Sequence, residues 1–140
     1  MNIAFFLLPK KEVVYLKLKS TMRQALEKMD HHGYTAVPII DEHGRYVGTL
    51  SEGDLLRMMK ENPSLSFVDT EKVFLKDIPR RSNDKAVRID AEIEDLLSLA
   101  VVQNFIPVVD DNGIFIGIIR RSVIIEYYAN MQKPQQKINS

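Results

Sequence analysis

Ser51 and Asp54 stand three residues apart at the start of an expected helix, directly after a strand that contains Gly48. The backbone N–H groups at a helix N-terminus have no partner within the helix, and they suit a phosphate group. The same Ser-x-x-Asp spacing also makes a capping box, which needs no ligand and contributes about 1 kcal/mol. Ser51 and Asp54 therefore have two interpretations, as ligand contacts and as a structural cap.

The elements that position this pair can be predicted from local patterns. Residues 35–40 and 45–50 favour two strands joined by a polar turn, and a further strand is expected at residues 13–18. An amphipathic helix is expected between the strands at residues 13–18 and 35–40, with Thr21 and Gln24 as its capping box and Gly33 as its left-handed C-cap. Its apolar residues recur at i, i+3, i+4 and i+7, namely Met22, Ala25, Leu26 and Met29.

The second half of the chain repeats the first. Strands are expected at Phe105–Val109 and Ile114–Ile119, with Asp90 as the N-cap of the helix before them and a helix at about residues 122–131 after them. The turn and strand positions Pro38, Asp41, Gly44 and Gly48 recur at a constant offset as Pro107, Asp110, Gly113 and Gly117. The sequence therefore contains an internal duplication.

Each repeat runs strand, helix, strand, strand, helix. The short turn requires its two strands to pair antiparallel, and the first strand joins the sheet after a helical crossover. We expect an α/β (α+β) fold in which two βαββα repeats bury their apolar sheet faces against each other with pseudo-two-fold symmetry, leaving clefts between them. The repeats are assigned to residues 1–62 and 73–131, with a linker at 63–72 and a disordered tail at 132–140.

Both repeats resemble cystathionine-β-synthase (CBS) domains, so the chain is similar to a stand-alone CBS pair, or Bateman module. The resemblance rests on the apolar-Pro-apolar-apolar-Asp strand, the turn glycine and the signature Gly48-x-x-Ser51-x-x-Asp54. It implies that Asp54 binds ribose hydroxyls, that Ser51 lies near phosphates, and that Val14 and Tyr15 form an apolar wall of the adenine pocket. It also implies that the strand residues Tyr34, Thr35, Ala36, Val37 and Pro38 contact the adenine edge.

The second repeat departs from this signature. Arg120 and Val123 occupy the positions that match Ser51 and Asp54, so only one cleft is expected to keep the full set. Arg120 and Arg121 open a helix, where cations oppose the macrodipole by a few tenths of a kcal/mol unless an anion is bound there. They are therefore candidates for phosphate contacts, with solvated surface arginines as the alternative.

A subset of CBS pairs that binds cyclic di-AMP offers a narrower resemblance. These proteins carry a strand similar to Gly33–Pro38, a segment similar to Asp77–Arg80, and an arginine pair of which Arg121 coincides in position. Where they have a lysine near the first strand, this chain has Glu12. The resemblance leaves AMP, ADP, ATP and cyclic di-AMP as candidate ligands.

Composition excludes several other classes of protein. Nineteen basic residues balance nineteen acidic ones, so nucleic acid and anionic membranes are not expected partners. The chain has no cysteine, and its three histidines lack a ligand spacing, so no metal site is expected. The apolar stretch at residues 3–8 is too short to span a membrane, which makes a cytoplasmic location the default. No catalytic set is recognisable, so an enzyme is not expected.

The expected function is therefore that of a regulatory CBS pair. It would bind an adenine nucleotide between its repeats, without any cofactor, and signal to an unidentified protein partner, most simply as a homodimer. The alternative is a ligand-free dimeric protein-interaction module in which Asp54 is only a helix cap.

Overall fold

The computed structural model describes residues 2–132 of the 140-residue chain and contains two sheets. The first repeat comprises strands β2 (Leu16–Lys17), β3 (Ala36–Ile40) and β4 (Tyr46–Ser51) with helices α1 (Met22–His32) and α2 (Glu52–Glu61). The second comprises β5 (Val87–Arg88), β6 (Phe105–Val109) and β7 (Phe115–Arg120) with α3 (Ile93–Ala100) and α4 (Arg121–Gln132). Of the tail predicted at 132–140, Gln132 belongs to α4, and residues 133–140 lie outside the described residues.

The helix signals of the first repeat are confirmed. The Thr21 side chain accepts a hydrogen bond from the Gln24 N–H, and the Gln24 side chain accepts one from the Thr21 N–H. Gly33 ends α1 in the left-handed conformation, with φ of 69°. The apolar face of α1 is buried through Met22, Ala25 and Met29, which fixes the helix against its sheet.

Both sheets have the predicted topology. Strands β2 and β3 are parallel and joined by α1, whereas β3 and β4 form an antiparallel pair. Strands β5, β6 and β7 repeat this arrangement, and Pro38 and Pro107 occupy equivalent registers opposite Thr49 and Ile118. The duplication in sequence is therefore a duplication in structure.

The N-terminal segment, counted with the first repeat in the sequence, packs against the second. Strand β1 (Leu8–Pro9) pairs antiparallel with β7, which makes the second sheet four-stranded in the order β1-β7-β6-β5. A 3₁₀ turn at Ile3–Phe6 precedes it, and Ile3 is fully buried in the core of the second repeat. The second repeat thus depends on residues from the beginning of the chain.

The two repeats share an apolar core, as the sequence predicts. Ile40 from the first repeat packs with Phe105, Phe115 and Ile118 from the second, and partly buried residues from the first half of the chain pack against them. The Phe115 N–H also donates to the Gly44 carbonyl over 2.8 Å. This contact between the sheets forms the clefts in which candidate sites lie.

Three details differ from the sequence predictions. The strand expected at residues 13–18 is reduced to Leu16–Lys17, because Lys10–Glu12 form a 3₁₀ turn that the Val13 N–H closes onto the Lys10 carbonyl. Helix α3 is capped at Glu92, whose N–H donates to Asp95, whereas Asp90 pairs with Arg88. Helix α4 begins one residue before the predicted start and extends to Gln132.

Candidate functional site

A cavity of about 300 Å³ lies between the two repeats. It combines the segment before β2, the starts of β3 and β6, and the end of β7. It brings together six of the residues singled out from the sequence, namely Val14, Tyr34, Thr35, Ala36, Pro38 and Arg120. We refer to it as the first cavity.

The inner part of the first cavity is apolar. Phe105 and Ile118, both buried, belong to the shared core and line the cavity together with Leu8, Val13 and Val14. Ala36 contributes from the first repeat and packs against the cluster that contains Phe105. A surface of this kind suits a flat, weakly polar group such as a purine base.

The rim of the first cavity is polar. Asn104 donates a hydrogen bond of 3.5 Å to the Thr35 hydroxyl and so joins the two repeats at the opening. The Tyr34 side chain is 44 % exposed, and its ring stacks on that of His32 with 5.4 Å between centroids. Glu12 and Arg120 complete the rim with opposite charges.

The adjacent arginines have different roles in the structure. The Arg121 N–H donates to the Asn104 carbonyl over 3.1 Å, and its Nε donates to the Gln103 carbonyl over 2.8 Å. Arg120 is exposed, lines the first cavity, and forms no hydrogen bond or ion pair within residues 2–132. Arg121 therefore anchors α4, whereas the guanidinium of Arg120 is available to an anion.

Ser51 and Asp54 form the predicted capping box and do not line the first cavity. The Ser51 hydroxyl accepts from the Asp54 N–H over 3.2 Å, and Asp54 Oδ2 accepts from the Ser51 N–H over 3.0 Å. Asp54 Oδ1 accepts from Arg57 Nη1 over 3.2 Å and from the Arg81 N–H over 3.1 Å. The carboxylate of Asp54, which is 1 % exposed, is therefore engaged by three protein donors.

A second cavity, of about 470 Å³, lies beside β4 of the first repeat. It is lined by Gly48 and by residues of the segment that leads into the second repeat, including Ile78, Arg80, Ser82, Asn83 and Asp84. Asp54 lies beside this segment through its hydrogen bond to Arg81.

The two cavities correct one expectation from the sequence. The β3 residues and the Ser51–Asp54 pair, expected in one cleft, do not line the same cavity, although Ala36 pairs with Ser51 across the sheet. The start of the first repeat's β-hairpin instead faces the end of the second repeat's hairpin, so Tyr34, Thr35, Ala36 and Pro38 share the first cavity with Arg120.

Two further candidate residues lie away from the first cavity. Val37 is 1 % exposed in the core of the first repeat. Tyr15 packs edge-on against Phe115 with 6.2 Å between ring centroids, and the Lys10 amine lies 5.3 Å from the Tyr15 ring centroid. Tyr15 supports the shared core behind the cavity.

Sequence reasoning missed several residues that line the first cavity. They are Leu8, Asn104, Phe105 and Ile118. The repeat contains a signal for two of them, because Asn104 and Phe105 occupy the positions that match Thr35 and Ala36 in the first repeat. Leu8 carries no comparable local signal.

The described part of the chain lacks two other kinds of feature. No group of three or more histidine, aspartate or glutamate side chains there is arranged to hold a metal ion. No helix within residues 2–132 is both long and apolar enough to cross a membrane.

The chain is similar to several known proteins over most of its length. It is 25% identical over 130 residues to the cyclic di-AMP receptor B of Bacillus subtilis, which covers 89% of this chain and 84% of that protein. Its fold matches that of CbpB, solved in complex with c-di-AMP, with a TM-score of 0.82 at 20% identity over 94% of this chain and 86% of that one. It also matches CBSX2, solved in complex with AMP, with a TM-score of 0.74 at 24% identity over 94% and 98%.

The family model for the CBS domain matches the chain twice, at residues 7–61 and 75–130. These two matches coincide with the two βαββα repeats that the structure shows. The chain therefore belongs to the CBS domain family and carries two CBS domains.

Proposed function

We propose that this CBS-pair protein is a regulator that binds an adenine nucleotide in the first cavity and thereby changes its affinity for a protein partner. The candidate ligands are AMP, ADP, ATP and cyclic di-AMP. The observation that carries the proposal is one cavity in which an apolar inner surface occurs together with Arg120, whose side chain has no partner among residues 2–132.

The chemistry of the cavity matches the two ends of a nucleotide. The base would lie between Val14, Ala36 and Phe105, where burial of its faces is favourable. The phosphate would accept charge-assisted hydrogen bonds from Arg120, whose planar guanidinium can bind two phosphate oxygens at once. A volume of about 300 Å³ is small for a ligand site, so it suits one nucleotide unit.

The names of the related proteins support the adenine assignment. One relative is a cyclic di-AMP receptor, and the structures of CbpB and CBSX2 contain c-di-AMP and AMP respectively. An adenine base and a ribose phosphate are common to these ligands. We propose that the present chain binds this common part. Titration with the individual nucleotides distinguishes among them.

Asp54 supports a second location for the ribose. The resemblance assigns ribose binding to this residue, and the second cavity lies beside the segment that Asp54 holds. Binding there requires the carboxylate to exchange at least one of its protein donors for a ribose hydroxyl. A variant of Asp54 distinguishes the two locations, because it leaves the first cavity unchanged.

A ligand-free interaction module is the alternative function. Helices α3 and α4 and the turn after α3 expose apolar side chains that are at least 40 % accessible, namely Leu97, Val101, Val102 and Ile125. A patch of this kind favours a protein contact, either in a homodimer or with another protein. This surface is also compatible with the nucleotide-binding function, as the route by which a partner is engaged.

Isothermal titration calorimetry tests the proposal. The protein is titrated with AMP, ADP, ATP and cyclic di-AMP, with GMP as the control for the base. Saturable heat with at least one adenine nucleotide, and a raised melting temperature in its presence, is the expected result. If all four adenine nucleotides give no heat and no shift in melting temperature, the interaction module becomes the better account.

A further inference from the structure

Glu12 is the acidic residue in the lining of the first cavity. It ends the 3₁₀ turn Lys10–Glu12, which directs the chain from β1 past the mouth of the cavity. Its side chain is exposed and forms no hydrogen bond or ion pair with any residue that the structure describes. Nothing in the fold of this region requires a carboxylate at this position.

Glu12 and Arg120 place opposite charges on one small cavity without pairing with each other. No salt bridge joins them, although both line the same opening. An anion bound at Arg120 would compensate the charge of Arg120 but not that of Glu12. A ligand that satisfies both must offer an anionic group to Arg120 and hydrogen-bond donors to Glu12.

We propose that Glu12 selects the ligand by accepting hydrogen bonds from a ribose cis-diol. This inference rests on the proposed function and adds a specificity determinant to it. The two oxygens of a carboxylate can accept from the 2′- and 3′-hydroxyls of one ribose at the same time, and such charge-assisted bonds are stronger than neutral ones. Among the residues that the structure describes, no other ionised acceptor lines the first cavity, and the Asp54 carboxylate is buried against three protein donors.

The same geometry discriminates between the candidate nucleotides. AMP, ADP and ATP carry both hydroxyls free on one ribose. In cyclic di-AMP the 3′-oxygens are esterified, so each ribose offers a single hydroxyl, and the second phosphate adds a negative charge near Glu12. The cavity therefore selects a mononucleotide with a free cis-diol over the cyclic dinucleotide.

Calorimetric titration of three proteins with four ligands tests this selection. The proteins are the wild type, Glu12→Gln, and the control Glu27→Gln, which changes an exposed glutamate on α1 outside the cavity. The ligands are AMP, 2′-deoxy-AMP, 3′-deoxy-AMP and cyclic di-AMP. The wild type and the Glu27 variant are expected to bind AMP about 10-fold or more tightly than either deoxynucleotide, since each lost hydroxyl removes a hydrogen bond to a charged group.

Glu12→Gln is expected to bind AMP and the two deoxynucleotides with nearly equal affinity, at an unchanged melting temperature. Equal affinities in the wild type would overturn the inference, and so would discrimination that survives in Glu12→Gln. Loss of all binding in Glu12→Gln would also overturn it. The deoxynucleotides lack the cis-diol, so their affinity should not depend on a diol contact at Glu12. If the wild type binds none of AMP, ADP, ATP and cyclic di-AMP, the proposed function fails, and the inference fails with it.

Discussion

Asp54 Oδ1 accepts a hydrogen bond from the backbone N–H of Arg81 over 3.1 Å, although the two residues are 27 positions apart in the chain. This bond ties the start of α2 in the first repeat to the segment that leads into the second. The same carboxylate caps α2 and pairs with Arg57. Asp54 therefore stabilises the contact between the repeats as well as its own helix.

We expect Asp54→Ala to lower the free energy of unfolding by about 2–4 kcal/mol, measured by urea denaturation. The loss combines a helix cap, about 1 kcal/mol, with a part-buried N–H at Arg81 that is left without its acceptor, about 1–3 kcal/mol. Ser51→Ala is the matched control, because it removes only the cap and should lose about 1 kcal/mol. Equal losses in the two variants would show that the bond to Arg81 contributes nothing.

Arg120→Gln should weaken nucleotide binding about 10-fold or more in calorimetry and leave the melting temperature unchanged. The side chain lines the first cavity and has no partner among residues 2–132, so its loss affects only an anionic ligand. Arg121→Gln is the comparison, and it should instead lower stability by about 1 kcal/mol through the lost bond to the Gln103 carbonyl. The opposite pattern would assign the phosphate contact to Arg121.

Gly117 and Gly48 occupy matching positions in the two repeats, and alanine should have different effects at each. A Cβ at Gly117 would overlap the Leu8 carbonyl oxygen, and it would lie 2.9 Å from Leu7 Cδ1. At Gly48 the nearest atom is Arg80 Nε at 2.8 Å, at the end of a side chain that can move. Gly117→Ala should therefore lower stability by about 2 kcal/mol or more by displacing β1 from β7, and Gly48→Ala by much less.

Because Leu8 also lines the first cavity, Gly117→Ala should weaken nucleotide binding as well. Thermal denaturation and calorimetry of the two variants measure both effects. Equal stability losses at Gly117 and Gly48 would contradict the close approach of β1 to β7.

Burial raises the pKa of Tyr46 from 10 to about 12, and its hydroxyl hydrogen-bonds to Thr49 over 2.7 Å. A pKa that is higher in the folded state gives stability that is fully present below pH 10 and is lost as pH rises towards 12. The wild type should therefore lose about 1–2 kcal/mol more than Tyr46→Phe over this interval, measured by urea denaturation at each pH. Parallel pH profiles for the two proteins would show that Tyr46 titrates normally.

The repeat architecture was predictable because the same types of residue mark the strands and turns of each repeat. Pro38 and Pro107 mark equivalent strands, and Thr21 and Gly33 delimit α1 by side-chain and backbone chemistry that acts locally. Strand β1 was not predictable, because a two-residue strand has no periodicity and its partner, β7, lies at the far end of the chain.

The candidate site was predictable only in part, for a related reason. Tyr34 and Asp54 are close in sequence, which suggested one cleft, but the two-fold packing of the sheets directs Tyr34 towards Arg120 of the other repeat. Local patterns indicate what an element is. Only the packing of the two repeats decides which ends of their elements meet.

The location of bound AMP tests the central claim most directly. A crystal structure of the protein grown with saturating AMP should show the base beside Val14 and Ala36 in the first cavity. The phosphate should lie within hydrogen-bonding distance of the Arg120 guanidinium, about 3 Å. Nucleotide bound beside Asp54 in the second cavity, with the first cavity free of it, would contradict the account.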